Sequence, residues 1–275
     1  MSELAAVLGP DPATGFVAGV LAVNLALAAA VLAVALARLP VRRFFGPGTA
    51  CQLWLIPPVA GLIATALVFT PADSDSASAA ASVRLPQLFS LLLPVWALGA
   101  LTMAAVFATA QARFLAQVRA GRGGPAVVGF IAPRVVLPAD DGRYSADERE
   151  LIRAHERAHV ARKDPRGAAF AALFQCLFWF NPFAHLAAYL VRLDQELACD
   201  AAVVMNRPGA RALYARTLLK TQLAGAPLPF GCYWPARSQH PLELRIASLK
   251  RRAGHGPTRP AGMIVVRAPV DAIRP

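Results

Sequence analysis

Residues 168–191, AAFAALFQCLFWFNPFAHLAAYLV, admit two incompatible architectures. By hydropathy alone they form a membrane span, because about 20 apolar residues suffice to cross a bilayer. A straight helix over them is about 36 Å long at 1.5 Å per residue and sets its two flanks far apart. The N-terminal flank holds His155-Glu156-Arg157-Ala158-His159, and the C-terminal flank holds Asp194-Gln195-Glu196-Leu197-Ala198-Cys199-Asp200.

Those two flanking segments need each other. Imidazoles four residues apart share one helix face, so His155 and His159 can bind a single cation. Glu156 is placed to take a proton from a water in the open coordination position while the metal stabilises the hydroxide, the chemistry of the H-E-x-x-H pattern. A metallopeptidase site wants a third protein ligand, and Glu196 is the best candidate. A zinc–oxygen bond is about 2 Å, so Glu196 must return to the histidine side. Asn181-Pro182, a turn signal, falls near the middle of the apolar stretch and resolves the conflict. Two helices over about 165–180 and 182–205 then form a hairpin, re-entrant or membrane-apposed and not a through-span. Phe174, Phe178, Trp179, Phe180 and Phe183 suit a tip at the membrane boundary. Asp200, one turn after Glu196, is expected to accept the free N–H of a ligand histidine and fix its tautomer. His185, between Phe183 and Tyr189, is assigned to an interface. Tyr214 and His240 are candidates to stabilise an oxyanion, although spacing alone does not place them.

The histidine helix has its own start signal. Ser145-Ala146-Asp147-Glu148 is a capping box, and Asp147, Glu148 and Glu150 favour the positive end of the helix dipole. Asp164-Pro165 is expected to end it, because a residue before proline avoids the α region. Upstream, 126–131 and 134–137 read as two short strands around a proline. A strand edge there either pairs with an extended substrate backbone or only braces the helix.

The 275 residues are 56% hydrophobic and only 16% charged, which is not the composition of an ordinary soluble domain. Three further apolar stretches, about 15–37, 52–70 and 87–110, are long enough to cross a bilayer, with Pro57-Pro58 and Pro94 expected to kink the second and third. No Lys or Arg precedes the first, so it reads as an uncleaved anchor and not a signal peptide. Arg38, Arg42 and Arg43 follow that span, whereas the loop over 71–84 carries Asp73 and Asp75 against Arg84. The positive-inside rule then puts the N-terminus outside the cell membrane and everything from Arg113 through the histidine helix in the cytoplasm. The net charge of +12 fits a basic face beside anionic lipid. No stripe or module for nucleic acid is recognisable, so no direct nucleic-acid partner is expected. Cys51, Cys176, Cys199 and Cys232 lack C-x-x-C spacing, which disfavours thiolate zinc and disulfides. The Gly/Pro/Arg-rich residues 251–275 are expected to be disordered.

Several segments together resemble the integral-membrane metallopeptidases of the BlaR/MecR antirepressor type. They are Gly129-Phe130-Ile131-Ala132-Pro133-Arg134-Val135-Val136-Leu137-Pro138, the extended His155-Glu156-x-x-His159-x-x-Arg162-x-Asp164, Trp179-Phe180-Asn181-Pro182, Gln195-Glu196-Leu197-Ala198-Cys199-Asp200, and Leu242-x-x-Arg245-Ile246-x-x-Leu249. The likeness runs from about 126 to 250, and the three spans before it also fit. It implies zinc held by His155, His159 and Glu196, Glu156 as general base, and a cytoplasmic peptidase whose action leads to removal of a transcriptional repressor. The family's C-terminal penicillin-binding sensor has no counterpart in the residues after Met205, so a signal is expected to enter through the spans, the outer loop or another protein.

The expected architecture is therefore mainly α: a polytopic membrane protein with a small α+β cytoplasmic zinc-peptidase domain and a membrane-apposed helical hairpin. Residues 1–112 form the membrane domain, 113–250 the peptidase domain with the hairpin over 166–204, and 251–275 the basic tail. The expected activity is a zinc endopeptidase acting on a cytoplasmic protein, with membrane lipid and a second copy of the chain as further partners. A membrane quality-control protease and a non-catalytic signalling or scaffold protein with a structural metal remain the alternatives.

Overall fold

The computed structural model describes residues 12–70, 87–129, 131–137, 139–223 and 241–251. The first described elements are α1 (Pro12–Phe44), α2 (Pro47–Gln52), a 3-10 turn (Leu53–Leu55), α3 (Ile56–Phe69) and α4 (Gln87–Arg119). Then come β1 (Ala126–Val128), β2 (Arg134–Val136), α5 (Ala146–Ala161), α6 (Asp164–Leu177), α7 (Pro182–Asn206), a 3-10 turn (Pro208–Ala210), α8 (Arg211–Leu223) and α9 (Pro241–Arg251).

Three helical stretches, Ala18–Phe44, Pro47–Val68 and Leu92–Arg119, are long and apolar enough to cross a membrane. Leu25, Leu36, Leu62, Leu67, Leu98 and Leu101 on them are exposed, a surface suited to lipid and not to water. The second stretch begins earlier than the expected residue 52, because α2 and the 3-10 turn lead straight into α3. Pro57 and Pro58 sit in the first turn of α3, where backbone N–H groups have no intrahelical acceptor and none is lost. The third runs through Pro94 and on to Arg119. The loop over 71–84, Cys232, His240 and the tail beyond Arg251 lie outside the described residues.

The apolar stretch folds back at its centre. Asn181 is extended, and its side chain accepts from the Phe183 N–H at 2.9 Å, with Pro182 at the start of α7; this is how a helix starts after a turn. Three further hydrogen bonds hold the tip. The Asn181 amide donates to Asn24 Oδ1 on α1 at 3.0 Å. The Trp96 indole on α4 donates to the Leu177 carbonyl at 2.9 Å, a last-turn acceptor of α6, while the Trp179 indole donates to the Trp96 carbonyl at 3.1 Å. Trp179 lies against Gly99, where any Cβ would collide with the indole.

Helix α7 is the element the others meet, since α1, α2, α5, α6 and α9 all pack on it. Its first half joins Ala187 and Leu190 to Val31, Val34 and Trp54 of the first two spans. Its second half joins Val203 and Val204 to Leu151, Tyr214, Leu218 and Leu249. The capping box is present: Glu148 N–H donates to Ser145 Oγ at 3.2 Å and Ser145 N–H to Glu148 Oε2 at 2.8 Å. Asp164-Pro165 opens α6 instead of closing α5, which stops at Ala161 through a left-handed Lys163, φ 61°. The two strands are antiparallel, Ala126 opposite Val136 and Val128 opposite Arg134, shorter than expected, and they rest on α5.

Replacing Gly99 by leucine should expel Trp179 and break both indole bonds, with a cost of about 1–3 kcal/mol typical of overpacking. The measurement is the unfolding midpoint of the detergent-purified chain, with Ala97→Leu on the same helix as control. An unaltered midpoint for Gly99→Leu would contradict the docking of Trp179 on the third span.

Candidate metal centre

On α5, His155 and His159 lie one turn apart, and their Nε2 atoms approach to 3.2 Å. Glu196 reaches them from α7, Oε2 at 3.3 Å from His155 Nε2 and Oε1 at 3.7 Å from His159 Nε2. A tetrahedral ion with bonds of about 2.0–2.1 Å needs donors about 3.3–3.4 Å apart. The three side chains are buried and their donor atoms converge, so they fit one such ion.

The remaining ring nitrogens are occupied in a way that leaves Nε2 free to donate a lone pair. His159 Nδ1 lies 2.9 Å from Asp164 Oδ2, and Arg162 Nε and the Cys199 thiol also donate to that oxygen, at 3.3 and 3.5 Å. His155 Nδ1 lies 2.8 Å from the Tyr214 hydroxyl, which donates onward to Asp200 Oδ1 at 2.6 Å. Arg245 closes the chain with Nε to Asp200 Oδ2 at 2.8 Å and Nη2 to Oδ1 at 2.7 Å. Its Nη1 reaches Glu196 Oε2 at 3.0 Å. An N–H held by a carboxylate or hydroxyl fixes the imidazole tautomer and ring plane.

Charge is set by these contacts. Burial pushes the Glu156 carboxyl above the usual range, the Glu196 charge adding and the His155, His159 and Arg245 charges opposing. Burial also acts against ionised Glu196, but Arg245 and the two imidazoles outweigh it and hold that carboxyl well below the ordinary value. His159 is lowered by burial yet raised overall by its Asp164 bond and the nearby Glu196 and Glu156 charges. Burial, then the Asp164 charge, drives the Cys199 thiol well upward, so it remains a protonated donor. Burial and the Asp200 charge do the same for the Tyr214 phenol.

The structure thus brings together His155, Glu156, His159 and Glu196. Asp200 lies 3.4 Å from His155 Nδ1, and the Tyr214 hydroxyl bridges the two. Tyr214 itself is buried behind His155, on the Nδ1 side away from Nε2. His185 bridges the hairpin, with Nε2 2.9 Å from the Trp179 carbonyl and Nδ1 3.4 Å from Gln175. Sequence reasoning does not assign Asp164, Tyr214 and Arg245 as support for the ligands. Asp164 and Arg245 stand inside the quoted motifs, whereas no spacing signals Tyr214, because the fold of α8 onto α5 creates its contact.

Residues 118–249 match the profile of the family described as BlaR1 peptidase M56. This part of the chain, just under half of it, is similar to that metallopeptidase family. The chain is also 35% identical over 80 residues to the Regulatory protein BlaR1 of Bacillus licheniformis, covering 29% of this chain and 13% of that relative. No solved structure matches.

Tyr214→Phe should leave the fold intact and weaken metal binding about 10- to 100-fold, the usual effect of losing a group that orients a ligand. Chelator competition measures it; wild-type affinity in the variant would mean that His155 needs no such partner.

Proposed function

We propose that this chain is a zinc-dependent membrane endopeptidase that cuts a cytoplasmic protein, with a transcriptional repressor as the favoured substrate. The observation that carries the reading is the buried Glu156 beside three convergent donors, since a purely structural site has no use for a base. His155, His159 and Glu196 would hold the ion. Bound zinc supplies Lewis-acid polarisation and lowers the pKa of its water to about 7. Glu156 accepts the proton of the attacking water and returns it to the leaving amine. Asp164 and the Tyr214–Asp200–Arg245 chain keep both imidazoles in the ligand tautomer. The family match supports the peptidase and the relative's printed name, a regulatory protein, supports a place in signalling.

The same reading assigns 1–112 to the membrane and 113–250 to a cytoplasmic peptidase domain, with the N-terminus outside the cell membrane. The hairpin contacts support a re-entrant course. Asn24 and Gly99 each lie about four helical turns, roughly 20 Å, from the basic residues Arg38 and Arg113 that end their spans. The tip that touches both therefore runs deep alongside the spans, and α7 brings Glu196 back to the basic side.

One zinc per wild-type chain is expected, lost or greatly weakened in His155→Ala and Glu196→Ala. Glu156→Gln should keep the metal and lose about 10²–10⁴ in kcat; full activity in that variant would favour a structural metal and a scaffold. Cleavage of one site in a folded substrate fits the proposal, whereas broad degradation of unfolded membrane proteins fits a quality-control protease. The base must be ionised, so kcat/KM should fall as pH drops through a Glu156 pKa above the ordinary glutamate value of about 4.3. A limb at or below that value would rule out Glu156 as the titrating base. Membrane-impermeant labelling of Lys220 from outside would defeat the hairpin topology.

A further inference from the structure

We infer that Asp194 is a positioning residue for the metal centre, tying the site to the first two spans; this rests on His155, His159 and Glu196 holding a metal. Asp194 is fully buried, and its two oxygens are held from different segments. Arg38 of α1 donates to Oδ1 at 3.0 Å, and the Trp54 indole, in the turn leading to α3, donates to Oδ2 at 2.8 Å. Arg42 lies 3.6 Å from Oδ1. Glu196 is two residues further along α7, about 200° around the helix at 3.6 residues per turn. One face of α7 therefore grips the spans while the opposite face presents a carboxylate to His155 and His159.

The apolar contacts of Ala187 and Leu190 with Val31, Val34 and Trp54 are non-directional and resist rotation or sliding of α7 only weakly. The Asp194 bonds are directional, and they fix both the turn and the height of the helix. A buried ion pair adds little net stability over apolar groups of the same volume, and its best-attested use is to specify register. Here that register decides whether Glu196 stands within bonding distance of an ion held by α5.

The test compares zinc affinity, by chelator competition, with the unfolding midpoint in the full-length chain in detergent. In Asp194→Asn the Arg38 charge loses its counter-charge, so both quantities should fall. The double variant Arg38→Met/Asp194→Leu removes the Arg38 charge together with its counter-charge, while Arg42, its side chain 24% exposed, can turn to water. Its midpoint should return to within a few degrees of wild type while zinc affinity stays at least about tenfold weaker, within the range for lost outer partners. Trp54→Phe, which removes one donor and keeps the aromatic packing, should weaken zinc several-fold with little change in midpoint. This milder variant reads the same effect if the double variant fails to fold. Wild-type zinc affinity in folded double-variant protein or in Trp54→Phe overturns the positioning role. A wild-type chain that takes up no zinc removes the metal reading and this inference with it, whereas zinc in the wild type with equal affinity in the variants removes this inference alone.

Discussion

Helix α7 carries Asp194, Glu196 and Asp200 within two turns, all of them buried. Carboxylates withdrawn from water are strongly disfavoured unless each is paired and hydrogen-bonded. The partners come from opposite ends of the chain. Arg38 and Trp54 meet Asp194, while Arg245 meets both Glu196 and Asp200. Satisfying this one helix therefore draws the first span, the second span and the last described helix to the same core. Apolar packing on its two halves supplies the bulk of the burial, but the charges decide where each partner must sit.

The candidate metal centre inherits its order from that arrangement. His155 and His159 share a helix face whatever the rest of the molecule does, yet a face of a helix does not choose a tautomer. Asp164 makes that choice for His159, and the Tyr214–Asp200–Arg245 chain makes it for His155. Arg245 has a double role, because it neutralises Asp200 at the far end of the chain and also touches the third candidate ligand. For Glu156 the His155, His159 and Arg245 charges do not outweigh burial, and its carboxyl stays above the usual range.

The hairpin of α6 and α7 solves a geometrical problem that a spanning helix cannot. Glu196 lies 3.3 Å from His155, so the chain reverses between them, and the reversal falls among the apolar residues of 168–191. Trp96, Trp179 and Gly99 turn that necessity into a defined docking of the tip on the third span. Indole N–H groups find carbonyl acceptors there, which suits aromatic residues in an otherwise apolar setting.

Local features of this chain are legible because they depend on neighbours in sequence. The capping box at Ser145, the helical phase of His155 and His159, the turn at Asn181-Pro182 and the length of the apolar stretches all rest on short-range geometry. Glu196 is reached by one further constraint, the reach of a metal–oxygen bond. Asp164-Pro165 misleads about the end of α5, because a proline that cannot follow a helical residue serves equally well in the first turn of the next helix. Tyr214 between His155 and Asp200, Arg245 against Glu196, and Arg38 with Trp54 against Asp194 have no local signature. Their partners lie tens to more than a hundred residues away, and only the packing of α1, α2, α8 and α9 around α5 and α7 brings them within hydrogen-bond distance. The sequence by itself determined the helices and the donors; the tertiary structure decided which buried charge each donor or arginine would meet, because that depends on burial and three-dimensional register and not on spacing along the chain.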